Sequence, residues 1–204
     1  MENILNRILK QLDLKRALII AAIFGLLLWL IDFSPIGVAG LLQLTGGVGI
    51  LDFETRYTAD FAYQWFSAMG EAGRQFHLTR IMPLDLLFPP AFAAFQFCLL
   101  GLLFRATTKE ENPLRLTLLL PFLYLLLDYS ENVGITAMLI NYPTRLNLVA
   151  VTTGIITSVK KTVILSIIVV FAALLIVFAV KKLKGAFHAE TEGEYKRDHT
   201  GKVA

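Results

Sequence analysis

The sequence predicts an all-α integral membrane protein: four transmembrane helices plus an outer interfacial helical segment between helices one and two. Three observations predict it. Apolar residues make up 56% of the 204-residue chain, with a mean hydropathy of +0.64, above the roughly 45–50% usual in soluble domains. Four stretches, 17–31, 86–104, 116–140 and 162–180, are long and apolar enough to cross a bilayer. The basic residues gather on alternate connections, as they do when a chain is threaded through a membrane.

Each element follows in chain order. Residues 1–16 form a cytoplasmic amphipathic lead-in, where Ile4, Leu5, Ile8 and Leu12 alternate with Arg7, Lys10 and Lys15. Such a helix either lies on an anionic leaflet or simply leads into span one. The four-helix transmembrane domain runs from 17 to 184. Span one has a basic flank, but Val38-Ala39-Gly40 makes a poor cleavage site, so it reads as a retained helix and not a signal peptide.

Residues 34–83 form the outer interfacial segment. It starts with a Gly-rich turn region, and from Tyr57 onward it is helical. Asp60, Gln64, Ser67 and Glu71 share one face, and Phe61, Trp65, Phe66 and Met69 fill much of the rest. Aromatic rings at that level suit the headgroup region. Gly70 and Gly73 are expected to break or kink this helix. Pro89-Pro90 opens span two and Pro121 lies in span three, each costing a backbone hydrogen bond there. Asn141-Tyr142-Pro143 ends span three, and a polar, Thr-rich loop is expected over 141–156. The charged tail, 185–204, has no apolar period and predicts disorder.

Thirteen Lys and Arg residues fall on the N-terminal arm, the 105–115 loop and the tail, against six on the opposite connections. The positive-inside rule puts both termini in the cytoplasm and the protein in the inner membrane. No Lys/Arg run suits nucleic acid. One cysteine, Cys98, excludes an intrachain disulfide.

Span three carries the chemistry. Asp128, Glu131 and Asn132 stand at i, i+3 and i+4, so they share a helical face, with Tyr124 one turn earlier. Ionisable groups at this depth cost roughly 2.5–3.5 kcal/mol each on insertion scales, so they keep partners and usually mark function. Topology brings Asp85, Arg74 and Lys160 to the same outer depth zone. Two carboxylates a turn apart repel, and a nearby cation relieves them. A buried ion-pair network that only fixes helix register is the structural alternative. His77 is a possible acid–base group, though a histidine there is more often a polar surface residue. No cofactor is expected, and no His–carboxylate spacing fits zinc. The two aspartates and the glutamate could instead hold a hard cation such as Mg²⁺ or Ca²⁺.

The chain resembles a group of largely uncharacterised bacterial four-helix membrane proteins, distantly similar to the VanZ-like group and the broader lipocone assemblage. The resemblance rests on Gly70-Glu71-Ala72-Gly73-Arg74, on Asp85 with Pro89, on Leu127-Asp128-Tyr129-Ser130-Glu131-Asn132, and on Thr157-Ser158-Val159-Lys160. These cover about residues 50–165. The position of His77 often holds a tyrosine in such proteins. The resemblance implies a compact membrane bundle with an inward polar pocket, acting on lipid headgroups or other amphipathic lipids.

The expected function is therefore an outer-leaflet-facing pocket that binds, and in an enzyme would process, a phospholipid or polyprenyl-linked headgroup. Arg74 and Lys160 would hold phosphate. Asp128 or Glu131 would be the acid or base, Asp85 would orient Arg74, and Asn132 would donate to an oxygen. Hydrolysis and exchange of a headgroup are equally open. Two alternatives stand beside this: a small ion-coupled carrier, and an accessory subunit with a structural polar network. A homo-oligomer is one expected assembly, with Ala91, Ala93, Ala94 and Gly101 offering close packing.

Overall fold

A computed structural model describes the backbone of residues 2–109 and 112–200, with side chains for 5–109 and 112–185. The described residues contain helices and turns but no strand. The helices are α1 (Glu2–Gln11), α2 (Leu14–Leu28), α3 (Val38–Thr45), α4 (Ala59–Phe76), α5 (Met82–Asp85), α6 (Phe88–Thr107), α7 (Leu120–Asn141) and α8 (Asn147–Thr200). Four helical stretches are long and apolar enough to cross a membrane: Leu14–Thr45, Ala59–Thr107, Pro113–Asn141 and Asn147–Gly185. Leu126, Val133, Leu165 and Ile176 are among the exposed apolar side chains, as a lipid-facing surface requires.

α7 and α8 share the most extensive contact, and the sequence makes it close. A Cβ on Gly134 would fall 2.0 Å from the Thr153 hydroxyl oxygen. Along α8, Ala150, Thr153, Thr157 and Lys160 are all buried. The bundle interior has three layers. An apolar cluster including Phe97, Leu100, Phe104, Leu118 and Ile167 fills one end. A second, including Tyr63, Phe66, Ile135 and Met138, fills the other. The charged residues of α7 and α8 lie between them.

The first apolar end also holds α1. Leu9 and Leu12 are buried against Gly101, Arg105 donates to the Leu9 carbonyl at 2.9 Å, and Arg115 reaches Asn6 at 2.5 Å. Lys181 donates to the Thr107 carbonyl at 2.7 Å at the same end. The lead-in is thus docked on the bundle, and Gly101 admits it. The N-terminal helix, the α6–α7 connection and the end of the fourth span share one end of the molecule.

Several local expectations change. Pro89-Pro90 and Pro121 lie in the first turns of α6 and α7, where the missing N–H has no helical partner to lose. Gly70, not Gly73, carries the kink in α4, with φ 69°. Gly73 packs closely, and its Cβ would meet Met69 at 2.5 Å and Thr45 at 2.7 Å. The Thr-rich stretch after 146 is helix, and it accommodates its hydroxyls by turning them back to carbonyls one turn earlier: Thr153 to Val149 at 2.7 Å and Ser158 to Gly154 at 3.0 Å. The helix also runs through Gly185 to Thr200, where the composition predicts no structure; extending a formed helix avoids the nucleation cost. Residues 201–204 of that tail lie outside the described residues.

Candidate functional site

Lys160 sits at the centre of the polar layer, with its side chain 5% exposed. Its Nζ lies 2.9 Å from Asp128 Oδ1 and 3.4 Å from Asp52 Oδ2, and it pairs with Glu131 Oε2. Asp128 and Glu131 come from adjacent turns of α7, as their spacing predicts. Tyr124 donates to Asp128 Oδ1 at 3.0 Å. Asn132 Nδ2 approaches Asp128 Oδ2 at 3.4 Å. Asp85, at the end of α5, lies beside Asn132 and within electrostatic reach of Asp52, Asp128 and Lys160.

Thr157 closes the layer on α8. Its Oγ1 contacts Glu131 Oε1, the Thr153 carbonyl at 2.9 Å and the Tyr57 hydroxyl at 3.5 Å. A threonine has one proton to give, so it donates to one acceptor while the Tyr57 phenol donates to it. Burial pushes the Tyr57 phenol above its ordinary range, which keeps that proton in place.

The structure thus brings together Asp128, Glu131, Asn132, Tyr124, Asp85 and Lys160. Two sequence expectations fail. Arg74 is not among the acids. It donates to the Phe66 carbonyl at 2.8 Å, and its guanidinium lies 4.0 Å from the centre of the Tyr142 ring. It sits past the kink at Gly70, which sends the second half of α4 toward the end of α7. Asp85 therefore orients no arginine. His77 is not a surface residue either. It is 1% exposed in a π-helical turn, His77–Ile81, its ring nitrogens are buried without a hydrogen-bond partner among the described residues, and the acid acting on it is Asp52.

Asp52 is the residue the sequence reading misses. It lies in a 3₁₀ turn, Leu51–Phe53, drawn inward by the fully buried Leu51. The one signal is its setting: an isolated aspartate inside the apolar run Val48–Phe53 of an otherwise turn-forming connection.

Two cavities lie along α7. One, of about 790 Å³, is an almost entirely apolar groove between Leu78, Met82, Leu86 and the α7 face from Tyr129 to Ile140, with Asn132 in its wall. The other, of about 450 Å³, is polar and contains Arg74, Glu71, Gln75 and Tyr142. Leu78 and Ile140 stand in the walls of both, so the polar pocket lies next to the apolar groove. Compared with protein-family models, with curated proteins and with solved structures, the chain has no match in any of the three comparisons.

Proposed function

We propose that this protein binds a membrane lipid with an anionic headgroup, taken from the outer leaflet of the inner membrane. The position of the polar Arg74 pocket beside the apolar groove, with Leu78 and Ile140 between them, supports this reading. Arg74 and Gln75 supply donors for a phosphate, Arg in the planar geometry that suits it, and Glu71 borders them. The groove beyond takes an acyl or prenyl chain. From Ile140 to Tyr129 the helix rise gives about 16 Å. One leaflet is half of a hydrocarbon core of roughly 30 Å, so the groove is as deep as one lipid tail is long. Both volumes fall within the range of about 300–1,000 Å³ typical of ligand sites.

The same geometry separates binding from headgroup chemistry. A phosphate at Arg74 sits at the level of Leu139–Tyr142, and Asn132 is about 12 Å deeper by the helix rise. That exceeds hydrogen-bond reach, so the acids of α7 do not touch a headgroup seated there. Lys160, surrounded by carboxylates, presents no free charge to phosphate. Binding and presentation of the lipid are better supported than headgroup hydrolysis.

Native mass spectrometry of the purified full-length protein tests this. The unmodified chain should retain one phospholipid or polyprenyl phosphate, and Arg74→Ala should lose most of it. Ala137→Phe, which plugs the groove without touching Arg74, should lose it as well. Equal retention by all three proteins, or retention of neutral lipids alone, would overturn the reading.

A further inference from the structure

The polar pocket at the end of α7 is lined by two opposite charges that do not meet. Glu71 and Arg74 stand three residues apart on α4, a spacing at which a carboxylate and a guanidinium ordinarily pair. Among the described residues no ion pair joins them. The Arg74 guanidinium is instead held by the Phe66 carbonyl at 2.8 Å and by the Tyr142 ring, whose centre is 4.0 Å away. Glu71 is exposed, and its carboxylate has no hydrogen bond to a described residue.

Glu71 and Arg74 are the charged side chains that line this cavity among the described residues, so its formal charge is zero before a ligand enters. A cavity of about 450 Å³, taken as a sphere, is roughly 9–10 Å across, near one Debye length at physiological salt. A phosphate seated on Arg74 is therefore within the field of Glu71. A phosphodiester brings one negative charge, and Arg74 balances it. A phosphomonoester has a second pKa near 6 and brings almost two charges at neutral pH. No second cation lines the cavity among the described residues, so the added charge meets a carboxylate of like sign. A diester also continues past phosphorus to a second alcohol. Where that alcohol ends in an ammonium or a hydroxyl, the Glu71 carboxylate is a ready acceptor for it.

We infer that the pocket selects among phosphate-bearing lipids: it takes a phosphodiester headgroup that ends in a hydrogen-bond donor, as phosphoethanolamine and phosphoglycerol do, and rejects the phosphomonoester of a phosphatidate or a polyprenyl phosphate. The selection rests on the lipid-binding reading above and narrows it. Arg74 takes the phosphate and Glu71 the distal donor. Glu71 thus sets specificity twice, by attracting the right terminus and by repelling the wrong charge.

A competition read by native mass spectrometry tests this. Full-length protein in detergent receives equal amounts of four lipids with identical acyl chains: phosphatidylethanolamine, phosphatidylglycerol, phosphatidylmethanol and phosphatidate. Phosphatidylmethanol is a diester without a terminal donor, and phosphatidate is a dianion at pH 8. The unmodified chain should keep the first two over the last two by roughly tenfold. Glu71→Gln, an exposed substitution that leaves the packing alone, should raise phosphatidate to the level of phosphatidylglycerol. In the same variant phosphatidylethanolamine should fall below phosphatidylglycerol if the ammonium is the favoured donor, and the two should stay level if the hydroxyl serves as well. The inference is overturned if the unmodified chain keeps phosphatidate or phosphatidylmethanol as well as phosphatidylglycerol, or if Glu71→Gln leaves the phosphatidate ratio unchanged. In each of those cases lipid is still bound and lost in Arg74→Ala, so the binding reading stands. A chain that keeps none of the four lipids overturns both.

Discussion

Lys160 and Arg74 are the two cations that the sequence places in one pocket, and the structure gives them opposite surroundings. Lys160 is sealed between two apolar layers and touches three carboxylates. Arg74 is half-buried at the end of α7, held by a carbonyl and an aromatic face, with no carboxylate paired to it among the described residues. A cation saturated by its own chain is part of the architecture. A cation left with only weak local partners has charge to offer a ligand. The contrast divides the polar groups into a charged interior and the rim proposed to bind lipid.

The strongest way to break this comparison is Lys160→Met. The substitution keeps the length of the side chain but strands the buried carboxylates of Asp128 and Glu131 and the partly buried one of Asp52. Removing one partner of a buried ion pair typically costs about 3–5 kcal/mol, and a marginally stable bundle should lose its cooperative thermal transition in detergent. Adding Asp128→Asn in the same chain removes one of the stranded charges and should restore part of that loss. If Lys160→Met unfolds like the unmodified protein, Lys160 is not the hub of the interior.

Gly134→Ala tests the packing that holds the interior together. Its added methyl meets the Thr153 side chain of α8 at 2.0 Å, and separating the helices draws Glu131 away from Thr157 and Lys160. Overpacking of this kind costs about 1–3 kcal/mol. Gly25→Ala is the comparison, since a Cβ there meets nothing within 4 Å. On α2 it should be neutral or stabilising by up to the roughly 1 kcal/mol of helix propensity. The thermal midpoint should therefore fall for Gly134→Ala and hold or rise for Gly25→Ala.

How much of this was legible in the sequence follows from what a sequence encodes about a membrane bundle. Hydropathy and chain reversal set position along the bundle, so the four helices long and apolar enough to cross a membrane and the convergence of Asp85, Asp128, Glu131 and Lys160 could be read directly. The i, i+3, i+4 spacing put Tyr124, Asp128, Glu131 and Asn132 on one face, and the structure buries all four there. Direction around the helix axis is set by packing and by kinks, and here the reading failed. Arg74 has the right depth, but the positive φ at Gly70 redirects the turn that bears it. Asp52 hides for a different reason. A single acid in a glycine-rich connection resembles any turn residue, and only the burial of Leu51 brings it inward.

Arg74→Lys sharpens the rim side of the comparison with a smaller effect than any loss of charge. Lysine keeps the charge but gives up the planar contact with the Tyr142 ring and the two-pronged grip on phosphate. Lipid retention should fall to a level between those of the unmodified chain and Arg74→Ala. Retention equal to that of Arg74→Ala would mean that ring contact and geometry matter more than charge.

The smallest effect belongs to a third cation. Arg145 pairs with Asp60 on the surface, where the two side chains are 45% and 79% exposed, and it lies 5.1 Å from the Tyr63 ring. Water screens that pair, and exposed ion pairs contribute about 0–1 kcal/mol. Arg145→Gln should leave lipid retention unchanged and shift the thermal midpoint little. The three substitutions then rank by enclosure: large for the sealed lysine, intermediate for the rim arginine, near zero for the solvated one. An Arg145→Gln variant as unstable as Lys160→Met would show that the polar connection between α7 and α8, and not the buried layer, holds these two helices in register.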